Sequence, residues 1–92
     1  MIKSFKDKAL QRFFETGSAR GLSVQDDRKV ARILRALEAA EKPEDMNIPG
    51  YRFHGLVGRD AGRYSVRVTG NWRITFGWEG EDSIEVDLED YH

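Results

Sequence analysis

The stretch Trp72-Arg73-Ile74-Thr75-Phe76-Gly77-Trp78 decides the fold of this chain. Large apolar side chains occupy every second position in it, and a period of two is typical of a strand with one buried face. These side chains are large enough to supply much of the buried area of a small domain. The opposite face carries Arg73, which packing alone does not require, so we expect this strand to be the middle of a sheet whose second face is functional.

Length and composition narrow the class of protein. The chain has 92 residues and no cysteine, which predicts a single domain over residues 1–92 without disulfides or cysteine metal sites. The segment from Met1 to Lys6 lacks the apolar run of a signal peptide. No stretch approaches the ~20 apolar residues that cross a bilayer. We therefore expect a soluble cytoplasmic protein with no membrane partner.

The net charge of −1 conceals a strong asymmetry along the chain. Residues 1–42 carry ten basic and six acidic side chains, and residues 43–78 carry five and three. Residues 79–92 carry seven acidic side chains and no basic one. Because charges act within a Debye length of ~8 Å at physiological salt, a local basic cleft is compatible with this total.

Two amphipathic helices precede the sheet. The first is predicted over Lys6–Thr16, with Gly17 placed to end it. Ser23 and Asp26 form a variant of the capping box that opens the second helix, and Lys42-Pro43 closes it. The outward basic side chains of this second helix are typical of a solvated face, with a partner or RNA-backbone contact as the alternative.

The remaining segments predict strands. They are Met1–Phe5 as an edge strand, Arg52–Val57, Tyr64–Thr69, Trp72–Trp78 and Ser83–Glu89, the last with Ile84, Val86 and Leu88 on one face. The fold class is therefore α/β of the α+β kind. Two N-terminal helices pack on one face of a small, mainly antiparallel, curved sheet.

Strand parity predicts the register, because opposite residues in an antiparallel pair share a face. A three-residue loop at 69–71 places Val68 opposite Trp72 and Arg67 opposite Arg73. The last hairpin then places Phe76 opposite Val86, Ile74 opposite Leu88 and Arg73 opposite Glu89. Two arginines side by side repel each other, so Glu89, Asp90 or an external phosphate must offset their charge.

The second sheet face collects residues suited to cutting RNA. Tyr91 and His92 follow the last strand, and His54 lies on another strand of the same sheet. Histidine can serve as acid or base near neutral pH, and the arginine fork of Arg67 and Arg73 matches phosphate. A metal site made of His54, Asp90 and His92 is an alternative, although it lacks the spacing of known metal-binding motifs.

Several blocks of the sequence resemble the HigB family of bacterial toxins, which belongs to the RelE superfamily. The blocks are Met1-Ile2-Lys3-Ser4-Phe5, Ser65-Val66-Arg67-Val68, Asn71-Trp72-Arg73-Ile74-Thr75-Phe76 and the closing Asp90-Tyr91-His92. The resemblance implies a RelE-like fold and a ribosome-dependent mRNA endonuclease that cuts in the A site without a metal or cofactor. It also implies a HigA-type helix-turn-helix antitoxin, with operator DNA contacted only through that antitoxin.

The resemblance also assigns roles to individual residues. Arg73 would bind the phosphate, Asp90, Tyr91 and His92 match the terminal catalytic group, and His54 stands where some members have a catalytic histidine. Many members have Leu-Lys-Gly where this chain has Leu56-Val57-Gly58. RNA-binding charge is therefore expected from four arginines: Arg59, Arg63, Arg67 and Arg73. The rival interpretation is a non-catalytic module of the same fold that binds antitoxin, RNA or ribosome.

Overall fold

The structure is a computed structural model that describes residues 1–91. Two helices, α1 (Lys8–Thr16) and α2 (Asp27–Ala39), precede the sheet, and short 3₁₀ segments lie at Pro43–Met46 and Gly58–Asp60. The strands are β1 (His54–Gly55), β2 (Arg63–Thr69), β3 (Trp72–Glu79) and β4 (Asp82–Asp90). They form one antiparallel sheet in the order β1-β2-β3-β4. The predicted α+β class, with helices before an antiparallel sheet, is confirmed.

Helix α1 is bounded by two specific caps. The Asp7 carboxylate accepts the backbone N–H of Leu10 at 3.0 Å, so the helix begins at Lys8 rather than at the predicted Lys6. Gly17 ends it as predicted, at φ 79°, and its N–H donates to the Phe13 carbonyl at 2.8 Å. Glycine adopts this left-handed conformation without the clash that a Cβ would cause.

Helix α2 begins with a different cap from the predicted one. The Asp26 side chain accepts the N–H of Lys29 at 3.2 Å, so Asp26 is itself the N-cap. The predicted capping box opened by Ser23 is therefore wrong, because that residue lies three positions before the true cap. The predicted end at Lys42-Pro43 is also wrong: α2 ends at Ala39, and Pro43 opens a 3₁₀ segment.

Two predicted strands are reduced in the structure. The strand expected over Arg52–Val57 is only His54–Gly55, because Arg52 has φ 49°, outside the extended region, and Gly58–Asp60 forms a 3₁₀ turn. The predicted edge strand Met1–Phe5 is not a named strand. It lies parallel to β4 through isolated bridges from Ile2 to Ser83 and from Phe5 to Val86.

The β2–β3 hairpin confirms one half of the predicted register. Arg67 lies opposite Arg73, as expected, but Thr69 rather than Val68 lies opposite Trp72. The loop therefore has two residues, and Val68 is the extra residue of a bulge. A two-residue turn suits the twist of the flanking strands, and the bulge lets Val68 stay buried on the apolar face.

The β3–β4 hairpin also contains a register shift, between Thr75 and Gly77. Ile74 lies opposite Leu88 and Arg73 opposite Glu89, as predicted, whereas Ile84 lies opposite Gly77. The shift occurs near Glu85, whose φ is 49°. The prediction that Ile84 shares the buried face of Val86 is therefore wrong, because the bulge moves it to the opposite face.

The helices pack on the apolar face of the sheet. Buried side chains from α1, α2 and the three long strands form one cluster that includes Leu10, Ile33, Leu34, Leu37, Val66, Ile74, Phe76 and Val86. Burial of such side chains stabilises a fold by ~1.5–3 kcal/mol each. No helix within residues 1–91 is long and apolar enough to cross a membrane.

The cap assignment yields a stability prediction. Asp26→Ala should lower the free energy of unfolding by about 1 kcal/mol, because the N–H of Lys29 loses its acceptor. Ser23→Ala is the matched control and should change it by less than about 0.5 kcal/mol. Urea unfolding of the two variants measures the difference. A larger loss of stability in Ser23→Ala would instead support Ser23 as the residue that caps α2.

Candidate active site on the polar sheet face

The face of the sheet opposite the helices carries polar residues from all four strands. We call it the polar face and define it by Arg63, Ser65, Arg67, Arg73, Thr75, Asp87 and Glu89, with His54 at its β1 end. Register places Arg67, Arg73 and Glu89 in one row across β2, β3 and β4. A second row contains His54, Ser65, Thr75 and Asp87. The predicted juxtaposition of both arginines with Glu89 is confirmed.

The guanidinium of Arg73 is partly enclosed on the polar face. Its Nη1 atom is buried and has no hydrogen-bond partner among the described residues. Its Cζ atom lies 5.7 Å from the centre of the Tyr91 ring, a cation–π contact. A buried donor without an acceptor costs ~1–3 kcal/mol, so an anion that reached this atom would be stabilised by it.

Tyr91 is held over Arg73 by the backbone that follows β4. Its N–H donates to the Asn71 carbonyl at 2.8 Å, which continues the pairing beyond Asp90. Burial raises the pKa of the Tyr91 phenol, and the carboxylates of Glu89 and Asp60 raise it further against the opposing effect of Arg63 and Arg73. The phenol therefore stays neutral at physiological pH and can donate a hydrogen bond.

A hydrogen-bonded chain crosses the centre of the polar face. The guanidinium Nη2 of Arg63 donates to the hydroxyl of Thr75 at 3.1 Å and to the Glu85 carbonyl at 2.9 Å. The Thr75 hydroxyl in turn donates to Oε2 of Glu89. Thr75 is fully buried, so this chain is shielded from water at its middle.

Two further arginines that the sequence indicated for RNA lie at different places. Arg67 donates from Nε to the Gly70 carbonyl at 3.2 Å, which ties its side chain to the β2–β3 turn. Arg59 is exposed in the 3₁₀ segment Gly58–Asp60. The neighbouring Asp60 acts on the phenol of Tyr91, so this segment lies near the polar face.

The remaining candidate catalytic residues are spread around this centre. His54 is exposed on β1, opposite Ser65, and its Nδ1 lies 3.2 Å from the Arg52 carbonyl. Asp90 is exposed and lies opposite Trp72, one position beyond Glu89, so strand alternation places it on the face opposite Arg73. His92 lies outside the described residues. The structure thus brings together Arg73, Tyr91 and their supporting residues, whereas the roles of the two histidines stay predictions.

Sequence reasoning missed the contributions of Thr75 and Asp87. Burial raises the pKa of the Asp87 carboxyl, against the hydrogen bond that it accepts from the Leu88 N–H at 2.9 Å. The period of two that runs from Arg73 to Thr75, and from Glu89 back to Asp87, could have placed both residues on the polar face. The pattern does not reveal which side chains bond to Thr75, because a shared face leaves several neighbouring polar groups as possible partners.

Neither a metal site nor the groove between the helices belongs to the polar face of the described residues. Within residues 1–91 no group of three or more His, Asp or Glu side chains could hold a metal ion. A groove between the helices is lined by Phe13, Phe14, Gly17, Ala31, Leu34 and Arg35. Its lining is mainly apolar, and it belongs to the helical layer, so it does not contribute to the polar face.

The electrostatics of Tyr91 can be tested directly. Glu89→Gln should lower the pKa of the Tyr91 phenol, because a neighbouring negative charge is removed, and Arg73→Gln should raise it. Titration of the tyrosine ¹³Cζ resonance by NMR measures both shifts. Glu44→Gln, which removes an exposed charge from the Pro43–Met46 segment, is the control and should leave the titration unchanged. Equal behaviour of all three variants would contradict the described surroundings of Tyr91.

Comparisons with known proteins identify the family of this chain. The model of a family described as RelE-like toxin of type II toxin-antitoxin system HigB matches residues 3–92. The chain is 39% identical over 92 residues to a protein named Endoribonuclease HigB from Proteus vulgaris, with the whole of both chains covered. It is 36% identical over 80 residues to Toxin HigB-1 of Vibrio cholerae serotype O1, covering 85% of this chain and 84% of the relative.

These matches span the helices, the sheet and the closing Asp90-Tyr91-His92. Two of the sequence blocks that resembled the family, Ser65–Val68 and Asn71–Phe76, lie on β2 and on the turn and first half of β3, where the structure forms the polar face. The chain therefore belongs to the HigB family of RelE-like toxins of type II toxin–antitoxin systems.

Proposed function

We propose that this toxin is an endoribonuclease that cuts mRNA in the ribosomal A site and so inhibits translation. The observation that carries the proposal is the buried Nη1 of Arg73, which lacks an acceptor among residues 1–91 and lies under the neutral phenol of Tyr91. A phosphate would satisfy this donor. The name of the Proteus vulgaris relative, an endoribonuclease, supports the same reaction class.

The proposed reaction is attack of a ribose 2′-oxygen on the adjacent phosphorus, which releases the 5′-oxygen of the next nucleotide. Arg73 stabilises the negative charge that develops on the phosphate oxygens, and Arg67 and Arg59 bind neighbouring phosphates. Of His92 and His54, one accepts the proton of the 2′-hydroxyl and the other donates a proton to the leaving 5′-oxygen, with Asp90 orienting a histidine. The phenol of Tyr91 donates to the reacting region or stacks on a base. In this scheme side chains supply the acid, base and cation, so it requires no metal.

The partners follow from the same proposal. Residues 1–92 act as one toxin domain that docks on the 70S ribosome with the polar face toward the mRNA. A HigA-type helix-turn-helix antitoxin neutralises the toxin, and operator DNA is reached only through that antitoxin. These partners place the activity in the bacterial cytoplasm.

The decisive experiment is primer extension on mRNA in a reconstituted translation system. Wild-type toxin should produce discrete cuts at codons that occupy the A site. Arg73→Ala should reduce cutting about 100-fold or more, because one donor to the developing charge is lost. The matched control Arg12→Ala removes an exposed arginine of α1 and should cut like the wild type.

The same assay separates the remaining possibilities. His92→Ala should also abolish the cuts, and cuts that persist in it would transfer the proton chemistry to His54 or Tyr91. Folded wild type that produces no cuts would favour the non-catalytic binding module. Val57 would be consistent with that outcome, because it is 87% exposed and stands where many members of the family have a basic residue that could contact RNA.

A further inference from the structure

The carboxylate of Glu89 is turned away from the arginine that it faces. Register places Glu89 directly opposite Arg73 on the polar face, where Cβ atoms lie ~4.5–5.5 Å apart. Opposite charges at that spacing attract each other, and arginine–carboxylate pairs are frequently bidentate. No such ion pair forms among the described residues, and Oε2 of Glu89 instead accepts the hydroxyl of Thr75.

The contact with Arg63 uses the oxygen of the Thr75 hydroxyl and leaves its proton free for Glu89. A threonine hydroxyl has one proton, and the Nη2 of Arg63 already donates to its oxygen at 3.1 Å. The hydroxyl proton is therefore left for Glu89. Arg63 is itself anchored, since Nη2 also donates to the Glu85 carbonyl and Nη1 lies 3.7 Å from Oε2 of Glu85.

The bulge in β4 makes this anchor possible. Glu85 adopts φ 49° at the register shift, and its carbonyl and carboxylate both contact Arg63. Only 17% of the Arg63 side chain is exposed, so the fork is held within the sheet surface rather than extended toward solvent. Gly77 lies opposite Arg63 on β3. A Cβ at this position would lie 3.2 Å from Ile84 and 3.7 Å from Nη1 of Arg63, so glycine leaves room for both side chains.

We propose that Arg63 and Thr75 are positioning residues that hold Glu89 away from Arg73 and so keep the Arg73 guanidinium available for the scissile phosphate. This proposal rests on the proposed function and concerns how the phosphate-binding arginine of that function is kept unpaired. It gives Arg63 a supporting role in place of direct RNA contact. Without the Thr75 hydroxyl, Glu89 turns to Arg73 and competes with phosphate.

The test uses four variants of the full chain. Thr75→Val keeps the shape of the side chain and removes the hydroxyl, whereas Thr75→Ser keeps the hydroxyl. Glu89→Gln removes the competing charge, and the double variant Thr75→Val/Glu89→Gln completes a cycle. Urea unfolding of each variant establishes that all four are folded under the assay conditions.

Three readouts are measured. Crystal structures give the separation between the Arg73 guanidinium and the Glu89 carboxylate. NMR titration with inorganic pyrophosphate, read at the Arg73 Nε–Hε resonance, gives anion affinity without ribosomes or cleavage. Primer extension at subsaturating toxin gives A-site cutting.

Thr75→Val should form the Glu89–Arg73 ion pair and lose about tenfold in pyrophosphate affinity and in cutting, whereas Thr75→Ser should resemble the wild type. In the Glu89→Gln background the same valine substitution should cause no further loss. A merely structural role for Thr75 would instead give equal losses in both backgrounds, and that result would overturn the proposal. Absence of the ion pair in Thr75→Val would also overturn it.

Failure of the proposed function is distinguishable from failure of this inference. If the wild type does not cut mRNA, the endoribonuclease proposal fails, but the crystal structures and the pyrophosphate titration still decide whether Thr75 keeps Arg73 available. If the wild type cuts and Thr75→Val cuts equally well, only the positioning role fails.

Discussion

Pairing of β3 on both sides is the constraint on which the rest of the molecule depends. A strand bonded to two neighbours cannot rotate about its axis, so burying Ile74 and Phe76 under the helices forces Arg73 onto the opposite face. Parity then places Arg67 beside Arg73 whatever their charge. Opposed like charges destabilise a sheet, and this sheet accepts them because its apolar face cannot be satisfied in any other register.

The polar face of the described residues contains buried polar groups that are hydrogen-bonded and a buried arginine donor that is not. The hydroxyl of Thr75 and the carboxylate of Glu89 satisfy each other, whereas Nη1 of Arg73 has no acceptor within residues 1–91. Leaving a charged donor unpaired lowers stability, and natural proteins depart from full satisfaction mainly at functional sites. The aromatic ring of Tyr91 offsets part of that cost by covering the guanidinium.

Alternation alone was enough to predict the three long strands β2, β3 and β4, the two faces of the sheet, and the pairing of Arg73 with both Arg67 and Glu89. It failed at Val68 and Ile84, because a bulge adds one residue without altering the local pattern. The cap of α2 was misplaced, since Ser23 and Asp26 are both good N-caps and tertiary packing decides between them. A role for Thr75 was not predicted, because threonine is common in strands for its β propensity alone. The hydrogen bonds of its hydroxyl are made with Arg63 and Glu89, which are distant in sequence.

The residues that run beside β4 at the start of the chain have a consequence for association. Ile2 and Phe5 bridge to Ser83 and Val86, so the chain itself occupies part of the outer side of β4. The other outer strand, β1, offers only two residues of regular backbone. Short or covered outer strands leave few unpaired backbone N–H and C=O groups with which another chain could pair. The sheet is therefore protected against aggregation by edge-to-edge pairing. Macromolecules that bind this toxin are therefore expected to recognise its side chains rather than to add a strand to its sheet.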